Sequence, residues 1–238
     1  MLILALDSTA VVASVALCRD ETPLALFTVK NGNTHSETLL PMVEAVLRSA
    51  KATVADIDLF ACATGPGSFT GVRIGAATVK GLAFGQNKNC LGVSTLEALA
   101  ENLVPYEGIL CPVMNARRGQ VYNALFEVEN GALKRLCPDR ALSVAELAAE
   151  LKAKGRPFAL CGDGVNEFLR LSPEIRPANV FPLLADQNAA SVAKVAYRRA
   201  LAGESGTDAA LVPVYLRLPQ AERERLAKEG GAPLSRKE

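Results

Sequence analysis

One order of elements occurs twice along this chain, and that repetition constrains the fold more than any single motif. From Leu2 the sequence reads as three apolar runs, LILALDS (residues 2–8), VASVALCR (12–19) and PLALFTVKN (23–31). Their connections are short enough to imply an antiparallel meander. A helix follows over TLLPMVEAVLRSA (38–50). THSE (34–37) in front of it has the spacing of a capping box, and Pro41 is expected to kink the helix or delay its start. IDLFACATG (57–65) is a buried strand, and FTGVRIGAATVKGLAFG supplies the next helix. From Ile109 the same order returns. GILCPVMNA, QVYNALFEVEN and ALKRLCP are strand-like, with turns at RRG and NG. Ser143 and Glu146 form a second capping box, Gly155 ends that helix, and PFALCGDGVNEFLR is strand, glycine turn and helix. The duplicated order is βββαβα.

Two lobes of this kind, each a mixed sheet with helices, make the two-lobed α/β architecture of actin and the sugar kinases. The boundaries are residues 1–105 plus about 208–238 for the first lobe and 106–207 for the smaller second lobe. STLEALAENL, with Ser94 and Glu97 as a third capping box, bridges them. NAASVAKVAYRRALAG is a further helix, LVPVYLR is extended, and AERERLAKEGG is a charged helix that frays.

Composition removes several function classes. Half of the 238 residues are hydrophobic, which suits a packed chain and not a disordered one. No apolar run reaches membrane-spanning length. Lys+Arg is 26 against Asp+Glu 25, a net charge of +1 that argues against a chain gripping RNA alone. The six cysteines include no C-x-x-C pair and read as buried thiols of a cytoplasmic protein. His35 is the single histidine, too few for a histidine metal site, and its place at a helix start gives it a structural role.

TGPGSFTGVRIGAATVKGLAFG raises the question of phosphate. It lacks the lysine of a P-loop and the spacing of a dinucleotide loop. Gly71, Gly75, Gly81 and Gly85 continue into the helix, where each costs about 1 kcal/mol relative to alanine. Gly71, Gly75, Thr78 and Leu82 share one stripe, with Arg73 and Lys80 on the opposite side. Small residues let another backbone approach. Tight packing inside this chain and a subunit interface both satisfy that pattern. Asp7, Ser8 and Thr9 at the end of the first strand stay nucleotide candidates, although Ser8 stands where glycine usually lets amides reach phosphate. Asp163 in GDG and the basic NARRGQ read as turns.

LALDST, HSETLLP, TGPGSFTGVRIG, NARRGQVY and PVYLR together resemble the TsaB family, the partner subunit of the bacterial tRNA threonylcarbamoyladenosine machinery, over nearly the whole chain. The resemblance implies the actin-like fold and pairing with a TsaD-like enzyme, which modifies the adenosine next to the anticodon. It also implies a TsaE-like ATPase in the complex, a homodimer when alone, and tRNA reached only through the complex. Pairing would use Leu39, Leu40, Val43, Val46 and Leu47 on the first helix, with Gly71, Gly75, Thr78 and Leu82 on the second. TsaD-like enzymes carry a metal-binding H-x-x-x-H on the bridging helix; Thr95 and Leu99 occupy those positions here. The expectation is a subunit with no catalytic residue, no metal and no tightly bound cofactor, which leaves a nucleotide open only at a joint interface. The other classes are a stand-alone actin-like ATPase or phosphotransferase and a homodimeric interaction protein unconnected to tRNA.

Overall fold

A computed structural model describes residues 1–181 and 184–217; the charged segment 221–231 and most of 208–238 lie outside the described residues. The first lobe runs β1 (Leu2–Asp7), β2 (Ala13–Arg19), β3 (Thr22–Val29), α1 (His35–Ser49), β4 (Leu59–Gly65), α2 (Phe69–Ala83), β5 (Asn89–Ser94) and α3 (Thr95–Glu101). Its sheet has the order β3-β2-β1-β4-β5, with β1, β4 and β5 parallel and the β1-β2-β3 meander antiparallel. β1 is apolar from Leu2 to Leu6 because both of its faces are covered. Leu2, Leu4 and Leu6 pack with Leu39, Val43 and Val79 beneath α1 and α2. Ile3 and Ala5 pack with Val192 and Ala196 on the other side.

The second lobe runs β6 (Ile109–Arg117), β7 (Gln120–Asn123), β8 (Phe126–Glu129), β9 (Ala132–Arg135), β10 (Arg140–Ser143), α4 (Val144–Lys154), β11 (Phe158–Cys161), α5 (Val165–Leu171) and β12 (Asn179–Val180), and α6 (Ala189–Leu201) follows it in the chain. Its order, β10-β7-β6-β11-β12, copies the first lobe strand for strand. One assignment changes. ALKRLCP does not supply the third strand; Ala132–Arg135 pairs with β8 in an added hairpin, and the third place belongs to β10. The hairpin turns at Asn130 and Gly131, both with positive φ, as an NG turn requires.

A second correction concerns the lobe boundary. The span 106–207 puts α6 in the second lobe, but α6 lies on the first sheet. Ala189, Val192, Ala193 and Ala196 face Ile3, Ala5 and Ala61. Glu101 at the end of α3, nearly inaccessible, pairs with Lys194 at 2.8 Å and Arg198 at 3.1 Å of α6. α3 bridges as expected, with Leu96 and Leu99 packed against Leu110 and Met114 of the second lobe.

The three capping boxes fare differently. Ser143 accepts from the Glu146 amide while the Glu146 carboxylate reaches back to the Ser143 amide. Gly155 then ends α4 with φ 57°. Ser94 accepts from the Glu97 amide, but the Glu97 carboxylate is drawn away to Arg135. Thr34 makes no side-chain cap, its hydroxyl being engaged with Ser36 at 3.2 Å. Pro41 sits inside α1 without ending it or delaying its start. All six cysteines are free, five of them buried, and burial pushes the thiols of Cys18 and Cys90 up to about 11.

Candidate partner face and interlobe cleft

Gly71 and Gly75 of α2, and Gly67 just before it, answer to this chain's own first turn. A Cβ on Gly67 would overlap the Thr9 carbonyl oxygen, and one on Gly71 the Ser8 carbonyl oxygen. One on Gly75 would lie 2.6 Å from the Ser8 hydroxyl. That hydroxyl is fixed, because it donates to the Gly71 carbonyl at 2.9 Å. The turn of residues 8–10 therefore rests directly on α2, and only glycine leaves it room. Gly71 and Gly75 face Ser8 of this chain. Leu39, Val43, Val46 and Leu47 are likewise buried in the core beneath α1. Thr78 and Leu82 are half-buried, with the Thr78 hydroxyl turned back to the Ile74 carbonyl at 2.8 Å. Of the nine interface residues read from the sequence, only Leu40 is an open apolar side chain, 51% exposed.

The free face of α2 lies about 120° around the helix from the predicted stripe, at about 100° per residue. It carries Ala77, Gly81 and Phe84, all exposed, flanked by half-buried Ile74, Thr78 and Leu82. Phe84, at the helix end, is 79% exposed. Leu40 is open on neighbouring α1, so exposed small and apolar side chains line the outer ridge of both helices. The charged side of α2 is taken. Arg73 Nε donates to the Tyr215 hydroxyl at 2.7 Å, Phe69 stacks on Tyr215 at 4.6 Å, and Lys80 reaches the Ala209 carbonyl at 3.4 Å. The chain after α6 thus straps across α2, and Arg217 Nη1 carries it to the Ala116 carbonyl of the second lobe. The sequence signal for Phe84 was a large aromatic at the end of a helix whose polar side was already assigned.

Asp7, Ser8 and Thr9 are buried within the same turn. Asp7 Oδ1 accepts from the Thr9 amide at 2.9 Å and the Thr9 hydroxyl at 2.7 Å. The Ser68 amide donates to the Thr9 carbonyl at 2.7 Å. The Thr9 amide, which would meet a phosphate in a nucleotide-binding turn, is occupied by Asp7. The His35 ring sits on the Ala10 carbonyl at 2.6 Å and helps hold the turn. Thr95 and Leu99 are buried on α3. Among the described residues no group of three or more His, Cys, Asp or Glu is placed to hold a metal ion.

Burial raises the Asp7 carboxyl from 3.8 to about 6, against the opposing pull of its two Thr9 hydrogen bonds. A carboxyl whose folded pKa lies above its unfolded value binds its proton more tightly in the fold. Its contribution is present in full below the unfolded pKa and is lost as pH rises through the folded one. Between pH about 4 and 6 the protein should lose roughly 3 kcal/mol on this account, at 1.36 kcal/mol per unit. Melting temperatures across that window should fall more steeply in the parent than in Asp7→Asn. Parallel curves would remove the buried carboxyl from the account.

Between the lobes lies a cleft of about 600 Å³. Thr9, Ser68, Phe69 and Thr70 line it from the first lobe, and Met114, Asn115, Arg117, Tyr122 and Asp163 from the second. Asp163, in its glycine turn, accepts the Asn115 amide at 2.9 Å.

Two sheets of one topology, a bridging helix and a cleft between them define a two-lobed actin-like α/β protein. Ethanolamine utilization protein EutJ from Carboxydothermus hydrogenoformans shares that fold at TM-score 0.50 and 13% identity, over 82% of this chain and 89% of that one. Much nearer in structure is a Pseudomonas aeruginosa protein described as similar to the peptidase YeaZ. Its TM-score is 0.80 at 27% identity, over 91% of this chain and 99% of that chain. Residues 30–222 match the family described as TsaD, tRNA N6-adenosine threonylcarbamoyltransferase. The tRNA threonylcarbamoyladenosine biosynthesis protein TsaB of Bacillus subtilis is 33% identical over 93% of this chain and 96% of its own length. The TsaB of Escherichia coli is 40% identical over 55% of this chain and 58% of its own. The chain belongs to the TsaB family.

Proposed function

We propose that this chain is the non-catalytic partner subunit of a tRNA threonylcarbamoyladenosine complex and docks on a TsaD-like enzyme through the ridge of α1 and α2. The observation that carries this reading is the ridge itself. Leu40 on α1, and Phe84 with Ala77 and Gly81 on α2, are exposed, on two helices whose opposite faces are engaged in the core. Apolar side chains with small neighbours let a second pair of helices approach closely. The relatives' part in threonylcarbamoyladenosine biosynthesis supplies the setting. The absence of imidazole at Thr95 and Leu99 assigns the chemistry to the partner. A TsaE-like ATPase joins the pair, the tRNA is reached through the complex, and the lone chain dimerises through the same ridge. The site of action is the cytoplasm. The chain holds no tightly bound cofactor of its own, and a nucleotide would sit where the subunits meet. Reading it as a stand-alone ATPase conflicts with the occupied Thr9 amide.

Reconstitution tests this. The chain alone should neither release phosphate from ATP nor modify tRNA. Adding it to the TsaD-like enzyme, with the remaining components present, should switch threonylcarbamoyl transfer on. Transfer by this chain without that enzyme, or full transfer without this chain, would overturn the assignment.

A further inference from the structure

We propose that β3 is a self-association strand: a second copy of this chain adds its own β3 antiparallel to the open edge, about a two-fold axis at Leu26. The two first-lobe sheets then become one. β3 is the outer strand of its sheet, and among the described residues no strand pairs with its far side. An unpaired edge presents a row of amides and carbonyls that another strand can take up, and chains commonly blunt it with charge, proline or a bulge. Here the blunting is confined to the start of the strand. Pro23 is the second residue, and the register shift opposite Leu17 and Cys18 falls at the same place. From Ala25 to Val29 the pairing with β2 is regular and no residue is charged. Leu24, Leu26 and Phe27 are each 46% exposed. Leu26 and Phe27 are successive, so they point to opposite faces of the sheet. Apolar surface therefore wraps the edge on both sides, which suits an added strand and not a helix laid on one face.

The occupant is a second copy because the strand is complementary to itself. Antiparallel pairing about Leu26 sets Leu26 against Leu26, Phe27 against Ala25 and Thr28 against Leu24. The aromatic ring meets the smallest side chain of the strand on either side of the axis, and such directly opposite pairs are the unit of sheet stabilisation. The ends match in charge. Glu21 precedes the strand and Lys30 follows it, so the two-fold brings each Lys30 beside Thr22 and Glu21 of the other copy. A parallel copy in register would set lysine on lysine and glutamate on glutamate. Within one chain Lys30 reaches Asp186 at 2.9 Å and Glu21 holds Arg198 at 2.7 Å. Both bridges are partly exposed, where such pairs are weak and readily shared. A two-fold contact of this kind closes on itself and stops at a pair. It uses none of the ridge residues of α1 and α2, and so stands apart from the partner reading.

The test is sedimentation velocity of the full chain at about 100 μM, a concentration suited to an interface smaller than the standard size. Phe84→Asp, which disables the ridge, should still sediment as a dimer. Adding Leu26→Lys to it should give a monomer, because two lysines would then face each other across the axis. Adding Leu24→Lys instead, which puts a second cation near Lys30 of the other copy, should weaken the dimer about tenfold. Melting temperatures should hold in both, since lysine is at home on an exposed edge strand. Leu26→Lys alone should remain a dimer through the ridge; a monomer there would support the β3 contact and count against the ridge dimer. A monomeric Phe84→Asp chain, as expected if the edge serves a different protein or none, would overturn the proposal. So would a Phe84→Asp dimer that both lysine substitutions leave intact.

Discussion

Replacing Gly71 by alanine is expected to lower the melting temperature by about 4–8 °C and to leave partner binding as it was. The new methyl group would overlap the Ser8 carbonyl oxygen, a backbone atom with no rotamer to escape into. Overpacking of this kind costs about 3 kcal/mol, at the upper end of the usual range. Alanine returns about 1 kcal/mol of helix propensity. The remaining 2 kcal/mol, roughly, is worth about 2–4 °C each in a chain of this size. Gly75 offers a sharper comparison. Its obstacle is the Ser8 hydroxyl at 2.6 Å, with the Ser8 Cβ farther off at 3.9 Å. Gly75→Ala should therefore destabilise alone and be largely rescued by Ser8→Ala, while Gly71→Ala should not. Thermal melts of the three single variants and the two doubles with Ser8→Ala read this coupling directly. An unchanged melt with weakened association would return these glycines to the interface.

That result bears on what a sequence can disclose. The pattern of glycines through α2 announces a close approach, and the approach exists. Its other party, Ser8, lies 63 residues earlier, and no periodicity within the helix names it. β1, β2 and β4 were legible because each is an apolar run buried along nearly its whole length, and β3 by its apolar residues alone, since it is largely exposed; β5, interrupted by Gly92, was not read. β10 was not, because Arg140–Ser143 is four half-buried residues with no such run. α6 was legible as a helix but not as part of the first lobe, since an apolar stripe does not say which sheet it meets. The Thr34 box failed for a local reason: Ser36 competes for the same hydroxyl. A box that does form, Thr53 with Asp56, escaped notice because its carboxylate is aspartate instead of glutamate. On the two helices read as a partner face, most of the residues named from the sequence are buried or half-buried. Buried positions of an amphipathic helix are easier to see in sequence than the exposed ones that a partner would meet.

The larger expected effect on association belongs to Phe84. An aromatic ring left 79% exposed at the end of α2, beside exposed Gly81 and Ala77, has the form of an anchor for a partner pocket. Truncating such anchors costs about 2 kcal/mol or more, which is about thirtyfold in affinity. An aspartate there adds the cost of burying an unpaired charge. The fold should be indifferent, because Phe84 supports none of the four core clusters. Leu171→Asp, at an apolar position 42% exposed on the second lobe, is the matched control.

The most direct measurement is the dissociation constant between this chain and its TsaD-like enzyme, by sedimentation, for the parent, Phe84→Asp and Leu171→Asp, with a thermal melt of each. The ridge account predicts at least about thirtyfold weaker binding for Phe84→Asp, at an unchanged melting temperature, and parent-like binding for Leu171→Asp. Parent-like binding of Phe84→Asp, or no binding by the parent chain, would contradict it.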